Sequence, residues 1–178
     1  MKFIQSITRG ARLRDYVPLL AIAASVAVVD QLTKAWVRLN LPYGQVFMPD
    51  FWLTRYLRLI HWQNTGMVGG ALQNINTFFI VLSFVVIAII LFYFPRVPAH
   101  ERGQRLALAL LLGGGVGNLI DRLFLGHVVD FISIGSLPVG NLADGSVIAG
   151  LAILILGSLL SKPKTSDQVD KPAPPEVR

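Results

Sequence analysis

Two aspartates in the last third of the chain, Asp130 and Asp144, lie in apolar sequence without a basic residue beside them. Two carboxylates held together in a low-dielectric pocket cannot both ionise readily, so they share a proton and titrate as a unit. One then serves as a base toward water and the other as an acid toward a carbonyl, which is aspartic protease chemistry. The residues alone leave three roles open for the pair, namely catalysis, relay of protons or ions, and structural support.

Further polar residues recur at helical spacing. Asp30 and Lys34 are four positions apart, so on a helix they share a face and can form an ion pair. Asn118, Asp121 and Arg122 also share a face by their spacing, and Arg122 has two candidate partners: Asp121 beside it, or a carboxylate across the bundle. Because an unpaired charge in a bilayer costs at least ~2.5 kcal/mol, we expect these groups to turn inward and meet.

The histidines and the absence of cysteine argue against a metal site. His61 and His100 fall in loops on opposite sides of the predicted membrane, and the chain has no cysteine. His127 precedes Asp130 by three positions and would share its face if that segment is helical; the alternative is an ordinary surface histidine. We therefore predict a site without metal.

The composition is that of a membrane protein. Only 15% of the 178 residues are charged, against roughly a quarter in soluble domains, and the mean hydropathy is +0.59. Because lipid leaves backbone groups without partners, we predict an all-α, four-helix integral membrane bundle. One domain should cover residues 1–161, and residues 162–178 should form a disordered cytoplasmic tail. The predicted spans are approximately 16–37, 76–94, 106–125 and 143–160.

The distribution of basic residues predicts the orientation. Lysine and arginine concentrate before the first span, between the second and third spans, and after the last, so both termini should be cytoplasmic. The net charge of +6 then indicates anionic lipid rather than nucleic acid as the partner. The first outward loop, residues 40–71, is rich in aromatic residues that suit the headgroup layer, and its pattern is compatible with small strands or a surface helix.

Five short motifs, in order along the chain, resemble those of the bacterial lipoprotein signal peptidases, also called type II signal peptidases. The resemblance implies a metal-independent, cofactor-free aspartic protease of the bacterial inner membrane, with its active site near the outer, periplasmic leaflet. It also implies that the enzyme removes the signal peptide of diacylglyceryl-modified prolipoproteins just before the lipidated cysteine, and that globomycin inhibits it. The motifs are Asp30-Gln31-Leu32-Thr33-Lys34, Asn64-Thr65-Gly66, the run from Gly113 to Arg122, Val128-Val129-Asp130-Phe131 and Asn141-Leu142-Ala143-Asp144.

By this resemblance, Asp130 and Asp144 are the catalytic dyad. The chain departs from the family pattern at residues 67–70, at Gly140 and at Gly145. We expect a monomer whose partners are the lipidated precursors and membrane lipid. From the residues alone, the alternative is a small proton-coupled membrane transporter that uses the same aspartates. The residues implied to bind substrate or to support the dyad are Asn64, Gly66, Asn118, Arg122, Asn141, Asp30, Lys34 and Asp121.

Overall fold

The computed structural model describes residues 13–48, 56–66 and 75–160, so the predicted tail and the departure at residues 67–70 lie outside the described residues. Within these ranges, four helices are each long and apolar enough to cross a membrane, which confirms the predicted four-span architecture. The first begins earlier and ends later than the predicted span of 16–37. The helices are α1 (Leu13–Asn40), α2 (Ile75–Tyr93), α3 (Arg102–Phe124) and α4 (Leu142–Leu160).

Polar contacts show which helix ends lie together. The Tyr16 hydroxyl donates to the Leu91 carbonyl at 3.1 Å, joining the start of α1 to the end of α2. Arg105, near the start of α3, donates to the carbonyls of Val97 and Asp15, both at 3.1 Å. The helices therefore alternate in direction through the bundle, and the opposite end carries the sheet and the remaining polar residues.

Helix α3 packs against the other three helices, and its glycines set how closely α1 and α4 approach it. A Cβ added at Gly113 would lie 2.7 Å from the Val26 Cβ on α1, and one added at Gly114 would lie 2.4 Å from the Ala143 carbonyl oxygen on α4. Both distances are too short for a side chain, so the glycines allow close helix contact.

Three antiparallel strands cover the end of the bundle opposite to Tyr16 and Arg105. Their order is β1 (Val46–Phe47), β2 (Leu57–Asn64) and β3 (Val128–Ile134). Strands therefore form in the first loop, where the pattern had left strand or surface helix open. The pairing of β2 with β3 is irregular between Leu59 and Trp62, and it places Trp62 opposite Asp130.

Strand β3 was not predicted from the sequence. His127 was expected to share a face with Asp130 if this segment were helical, and that expectation is wrong because the segment is a strand. His127 lies in the bend before β3, whereas Asp130 is within the strand, where side chains alternate between faces. Val129 and Phe131 on β3 pack against Val37 at the end of α1. This apolar contact holds the strand against the bundle. Asp130, which lies between Val129 and Phe131 in the sequence, is buried.

Candidate active site

Asp130 is held in β3 by two asparagine amides. Its side chain is 1% exposed, and its Oδ2 accepts a hydrogen bond of 2.9 Å from Asn64 Nδ2 at the end of β2. Its Oδ1 accepts one of 2.7 Å from Asn141 Nδ2. Both oxygens of this buried carboxyl therefore face neutral N–H donors.

The turn after β2 fixes the orientation of the Asn64 amide. Asn64 Oδ1 accepts the Gly66 backbone N–H at 2.9 Å, so its NH₂ group points toward Asp130. Gly66 has φ +74°, a conformation that side-chain-bearing residues rarely adopt, and an added Cβ would lie 2.9 Å from the Phe79 ring. The structure thus explains why a glycine stands two residues after Asn64.

Asp144 is the third residue of α4 and is half-buried. It and Asn141 form a reciprocal helix cap: Asn141 Oδ1 accepts the Asp144 N–H at 2.9 Å, and Asp144 Oδ2 accepts the Asn141 N–H at 3.2 Å. This is a capping box, whose signature is a small polar residue followed three positions later by an acid. Sequence reasoning singled out both residues but missed the cap.

The two aspartates are joined through asparagines. Asn141 bonds both carboxyls, and Asn118 on α3 donates from Nδ2 to Asp144 Oδ1 at 2.8 Å. Asn118 Oδ1 in turn accepts from Asn141 Nδ2 at 3.1 Å. The structure therefore brings Asp130, Asp144, Asn64, Asn118 and Asn141 into one hydrogen-bonded site.

Behind this site lies a fully buried ion cluster. Lys34 Nζ lies 2.7 Å from Asp30 Oδ2 and 3.0 Å from Asp121 Oδ2, and all three side chains are at most 1% exposed. This confirms the predicted Asp30–Lys34 pair. Asp30 Oδ1 also accepts the Ala143 N–H, and Asp121 Oδ2 accepts the Val129 N–H, each at 2.9 Å. The cluster thereby ties α1 and α3 to α4 and β3.

A missing side chain makes room for the cluster. A Cβ added at Gly117 on α3 would lie 2.7 Å from Asp30 Oδ2, closer than real Cβ contacts allow. The Gly117 carbonyl also accepts a hydrogen bond of 3.0 Å from Gln31 Nε2. Gly117 therefore lets the buried carboxylate of Asp30 fit against α3.

Arg122 has neither of the partners considered from the sequence among residues 13–48, 56–66 and 75–160. No carboxylate in these ranges lies within 4.0 Å of its guanidinium, and Asp121 pairs with Lys34 instead. Arg122 lies over the Phe79 ring, 5.0 Å from its centroid, and donates to the Asn118 carbonyl at 3.4 Å. Its positive charge is therefore available at the edge of the site.

Burial raises the pKa of Asp130 from 3.8 to about 6. Loss of hydration is the largest cause, and the negative charge of Asp144 acts in the same direction. The hydrogen bonds from Asn64 and Asn141 favour the ionised form and oppose the rise. A carboxyl with this pKa exchanges its proton near neutral pH, as acid–base catalysis requires.

With this geometry in view, comparison with known proteins identifies the family. Residues 22–160 match the family model described as signal peptidase (SPase) II. This chain belongs to the signal peptidase II family. The lipoprotein signal peptidase of Moorella thermoacetica is 38% identical over 143 residues, which cover 80% of this chain and 93% of that protein. The lipoprotein signal peptidase of Staphylococcus aureus is 29% identical over 156 residues, covering 85% and 92%.

A solved structure agrees with this assignment. A bacterial membrane enzyme determined by the in meso method at 1.9 Å resolution superimposes with a TM-score of 0.75 at 28% identity. The match covers 82% of this chain and 94% of that one. The signal peptidase II chain described here is thus a multi-pass membrane protease, and the comparisons give no support to the transporter alternative.

Proposed function

We propose that this signal peptidase II is an aspartic endopeptidase that removes the signal peptide from diacylglyceryl-modified prolipoproteins, just before the lipidated cysteine, using Asp130 and Asp144 as its dyad. The observation that carries the proposal is the bridge through Asn141, which donates to Asp130 Oδ1 and to Asp144 Oδ2. The negative charge of Asp144 also acts on Asp130, so the two carboxyls are expected to titrate as a coupled pair. The names of the relatives support the class of substrate.

In the proposed reaction the dyad holds one proton before substrate binds. The ionised carboxylate removes a proton from water as the water oxygen bonds to the scissile carbonyl carbon, while the protonated carboxyl donates to the carbonyl oxygen. Collapse of the tetrahedral intermediate breaks the C–N bond, and a proton passes to the departing amine of the lipidated cysteine. The pair ends with one proton, ready for another cycle.

The neighbours of the dyad suit this chemistry. Asn64, Asn118 and Asn141 give the carboxyls N–H donors without adding charge, so the dyad is oriented while proton exchange near neutral pH is retained. Arg122, which has no carboxylate within 4.0 Å in the described ranges, supplies positive charge for substrate carbonyls. Gly66 keeps the turn beside Asn64 narrow.

The location of the site suits a lipid-linked substrate. Basic residues cluster at the end of the bundle that bears Arg102 and Arg105, which we infer is cytoplasmic, and the dyad lies at the other end. The site would then face the outer leaflet of the bacterial inner membrane, with both termini in the cytoplasm. Two acyl chains would hold the scissile bond at that depth. We further propose that the enzyme acts as a monomer and is inhibited by globomycin.

Purified protein in detergent tests the proposal directly. The substrates are a diacylglyceryl-modified precursor and the same precursor without lipid, each incubated with and without globomycin and a metal chelator. We expect cleavage of the lipidated form alone, blocked by globomycin and unaffected by chelator. Equal cleavage of both precursors would reject the proposed substrate class, and cleavage lost on chelation would reject the mechanism.

A further inference from the structure

We propose that Lys34 is a positioning residue for the dyad, because it fixes the orientation of the Asn118 amide and thereby the N–H donors that face both carboxyls. The inference rests on the proposed catalytic role of Asp130 and Asp144. It assigns to the buried lysine a task beyond closing an ion pair.

The Lys34 ammonium is a group that donates hydrogen bonds and cannot accept them. Its Nζ has three neighbours at bonding distance: Asp30 Oδ2 at 2.7 Å, Asp121 Oδ2 at 3.0 Å and Asn118 Oδ1 at 2.9 Å. The contact with Asn118 Oδ1 is a hydrogen bond, whereas the contacts with the two carboxylates are ion pairs. Because an ammonium only donates, the atom of the Asn118 side chain that faces Lys34 must be the amide oxygen Oδ1. The NH₂ group of that side chain must therefore point the other way.

That orientation passes through the asparagines to the dyad. The side-chain NH₂ group of Asn118 donates to Asp144 Oδ1 at 2.8 Å. The side-chain oxygen Oδ1 of Asn118 accepts a hydrogen bond of 3.1 Å from Asn141 Nδ2. Asn141 Nδ2 also donates to Asp130 Oδ1 at 2.7 Å. With Asn118 reversed, its oxygen would face the carboxylate of Asp144 and its NH₂ group would face that of Asn141.

A permanent donor is needed because the dyad changes its own hydrogen bonding during the reaction. An ionised carboxylate only accepts, whereas a protonated carboxyl also donates, so Asp144 by itself selects the Asn118 orientation in only one of these states. Lys34 makes the same demand on Asn118 in both states, and so does Asn141 Nδ2, whose orientation is set by the Asp144 backbone N–H. Together they keep the donor geometry constant while the proton moves between Asp130 and Asp144.

Other charged groups also face this network and bear on its pH dependence. Asp30 from α1 and Asp121 from α3 contact the Lys34 ammonium. Arg122 from α3 interacts electrostatically with both dyad carboxyls, and Asp144 acts on Asp130 in the same way. None of these charged groups donates to the side-chain oxygen Oδ1 of Asn118, since Arg122 donates to the backbone carbonyl, so Lys34 is the charged group that orients this amide.

The test compares Lys34→Met with two further variants of the full-length protein. Asp30→Asn/Lys34→Met removes the ion pair without leaving the Asp30 charge unpaired, and it serves if the single variant does not fold. Gln31→Met is the matched control on α1: it loses hydrogen bonds to Asp121 Oδ1 and to the Gly117 carbonyl but leaves the Lys34–Asn118 contact. The measurements are thermal unfolding, kcat, KM and the pH–rate profile on the lipidated precursor.

In the folded Lys34 variants we expect kcat to fall about 100-fold with KM within about threefold of wild type. The acid limb of the pH–rate profile, which reports the coupled dyad, should move to higher pH because donors to the ionised form become disordered and because the positive charge of Lys34, which favours ionised Asp130, is removed. Gln31→Met should lower thermal stability and keep the wild-type limb. A folded double variant with wild-type kcat and profile, or a Gln31→Met variant with the same limb shift, would overturn the proposal.

A second readout does not depend on activity. The side-chain NH₂ signals of Asn118, assigned by their loss in Asn118→Leu, can be followed by NMR in ¹⁵N-asparagine-labelled protein. We expect one pair of Asn118 NH₂ signals at each pH in the wild type, with positions that follow the titration of the dyad, and two pairs in Asp30→Asn/Lys34→Met, one for each amide orientation. A single pair of signals at each pH in that variant would refute the role of Lys34 even if the protease proposal holds. Failure of the wild type to cleave would refute the protease proposal and leave this measurement valid.

Discussion

Two pairs of aspartates lie at the same end of this signal peptidase II, and they differ in what faces them. Asp30 and Asp121 contact the ammonium of Lys34, which lies within 3.0 Å of both. Asp130 and Asp144 are bonded instead by neutral amides of asparagine. A cation beside a buried carboxylate favours the charged form, whereas burial raises the pKa of Asp130, which faces neutral amides, to about 6.

In the proposed mechanism, hydrogen-bond partners rather than residue type divide these aspartates into a support pair, Asp30 and Asp121, and a reacting pair, Asp130 and Asp144. The support pair also accepts backbone N–H groups of Ala143 and Val129, the residues that precede Asp144 and Asp130. Each supporting carboxylate thus holds the backbone directly beside one member of the dyad.

Loss of a dyad carboxyl should have the largest effect. Asp130→Asn and Asp144→Asn should each lower the cleavage rate of a lipidated precursor by about 10⁴-fold, because acid–base catalysis by the missing group is lost. Both variants should remain folded in detergent by circular dichroism. The control is Glu101→Gln, the same change at an exposed residue, and it should cleave normally. Near wild-type cleavage rates in both variants would contradict the proposal that Asp130 and Asp144 are the reacting pair.

Loss of a support carboxylate should reduce stability more than chemistry. Asp121→Asn breaks a buried ion pair, and we expect the free energy of unfolding to fall by roughly 3 kcal/mol. Because the contact between Lys34 and Asn118 remains, kcat per folded molecule should stay within about tenfold of wild type. Denaturant titration and single-turnover cleavage measure the two effects. A stable Asp121→Asn variant without activity would place Asp121 with the dyad.

The pH dependence of stability should carry the signature of Asp130. Because burial raises its pKa from 3.8 to about 6, the folded state binds this proton more tightly than the unfolded state. The contribution is fully present below the unfolded pKa and is lost as pH rises through the folded value, by up to about 3 kcal/mol. Unfolding at a series of pH values measures this slope, and Asp130→Asn should flatten it. If Asp130→Asn leaves the pH dependence of the free energy of unfolding unchanged, groups other than Asp130 cause that dependence.

Cleavage should show the opposite pH trend on the acid side. Since one dyad member must be ionised to take a proton from water, kcat/KM should decline as pH falls below about 6. The midpoint belongs to the coupled pair. A pH–rate profile on the lipidated precursor measures it, and a rate independent of pH through this range would contradict the assignment.

Two glycines on α3 give the smallest and most local comparison. Gly117→Ala places a Cβ 2.7 Å from Asp30 Oδ2, so it should destabilise the protein by about 1–3 kcal/mol through overpacking of the support cluster. Gly115 has open space at its Cβ position, so Gly115→Ala should be neutral or stabilising by up to about 1 kcal/mol. Thermal unfolding separates the two, and equal effects would show that Asp30 tolerates displacement.

Much of the architecture followed from the sequence. Lipid demands internally hydrogen-bonded backbone, so four apolar runs of sufficient length specified four helices. The four-residue spacing of Asp30 and Lys34 specified their pair, because a helix brings such residues together without reference to the rest of the fold. The cost of charge in lipid predicted that polar residues would converge, and Asn118 and Asp121 do meet Lys34.

Contacts between distant segments could not be obtained in this way. Strand β3 exists because β2, more than sixty positions earlier, offers it a pairing edge. The choice of Lys34 over Arg122 as the partner of Asp121 depends on how α1 and α3 pack. Neither the pairing of β2 with β3 nor the packing of α1 on α3 can be inferred from the order of residue types along the chain.

The sequence by itself therefore determined the membrane-spanning helices, the local ion pair and the residues capable of acid–base chemistry, since these depend on hydropathy, helical spacing and side-chain chemistry. Only the tertiary structure decided that Asp121 faces the same cation as Asp30 and that Asp130 and Asp144 face amides. It also decided the orientation of Asn118, because that depends on a donor 84 positions away in the chain. Hydrogen-bond direction is a property of groups brought together in space, and it is what separates the support pair from the dyad.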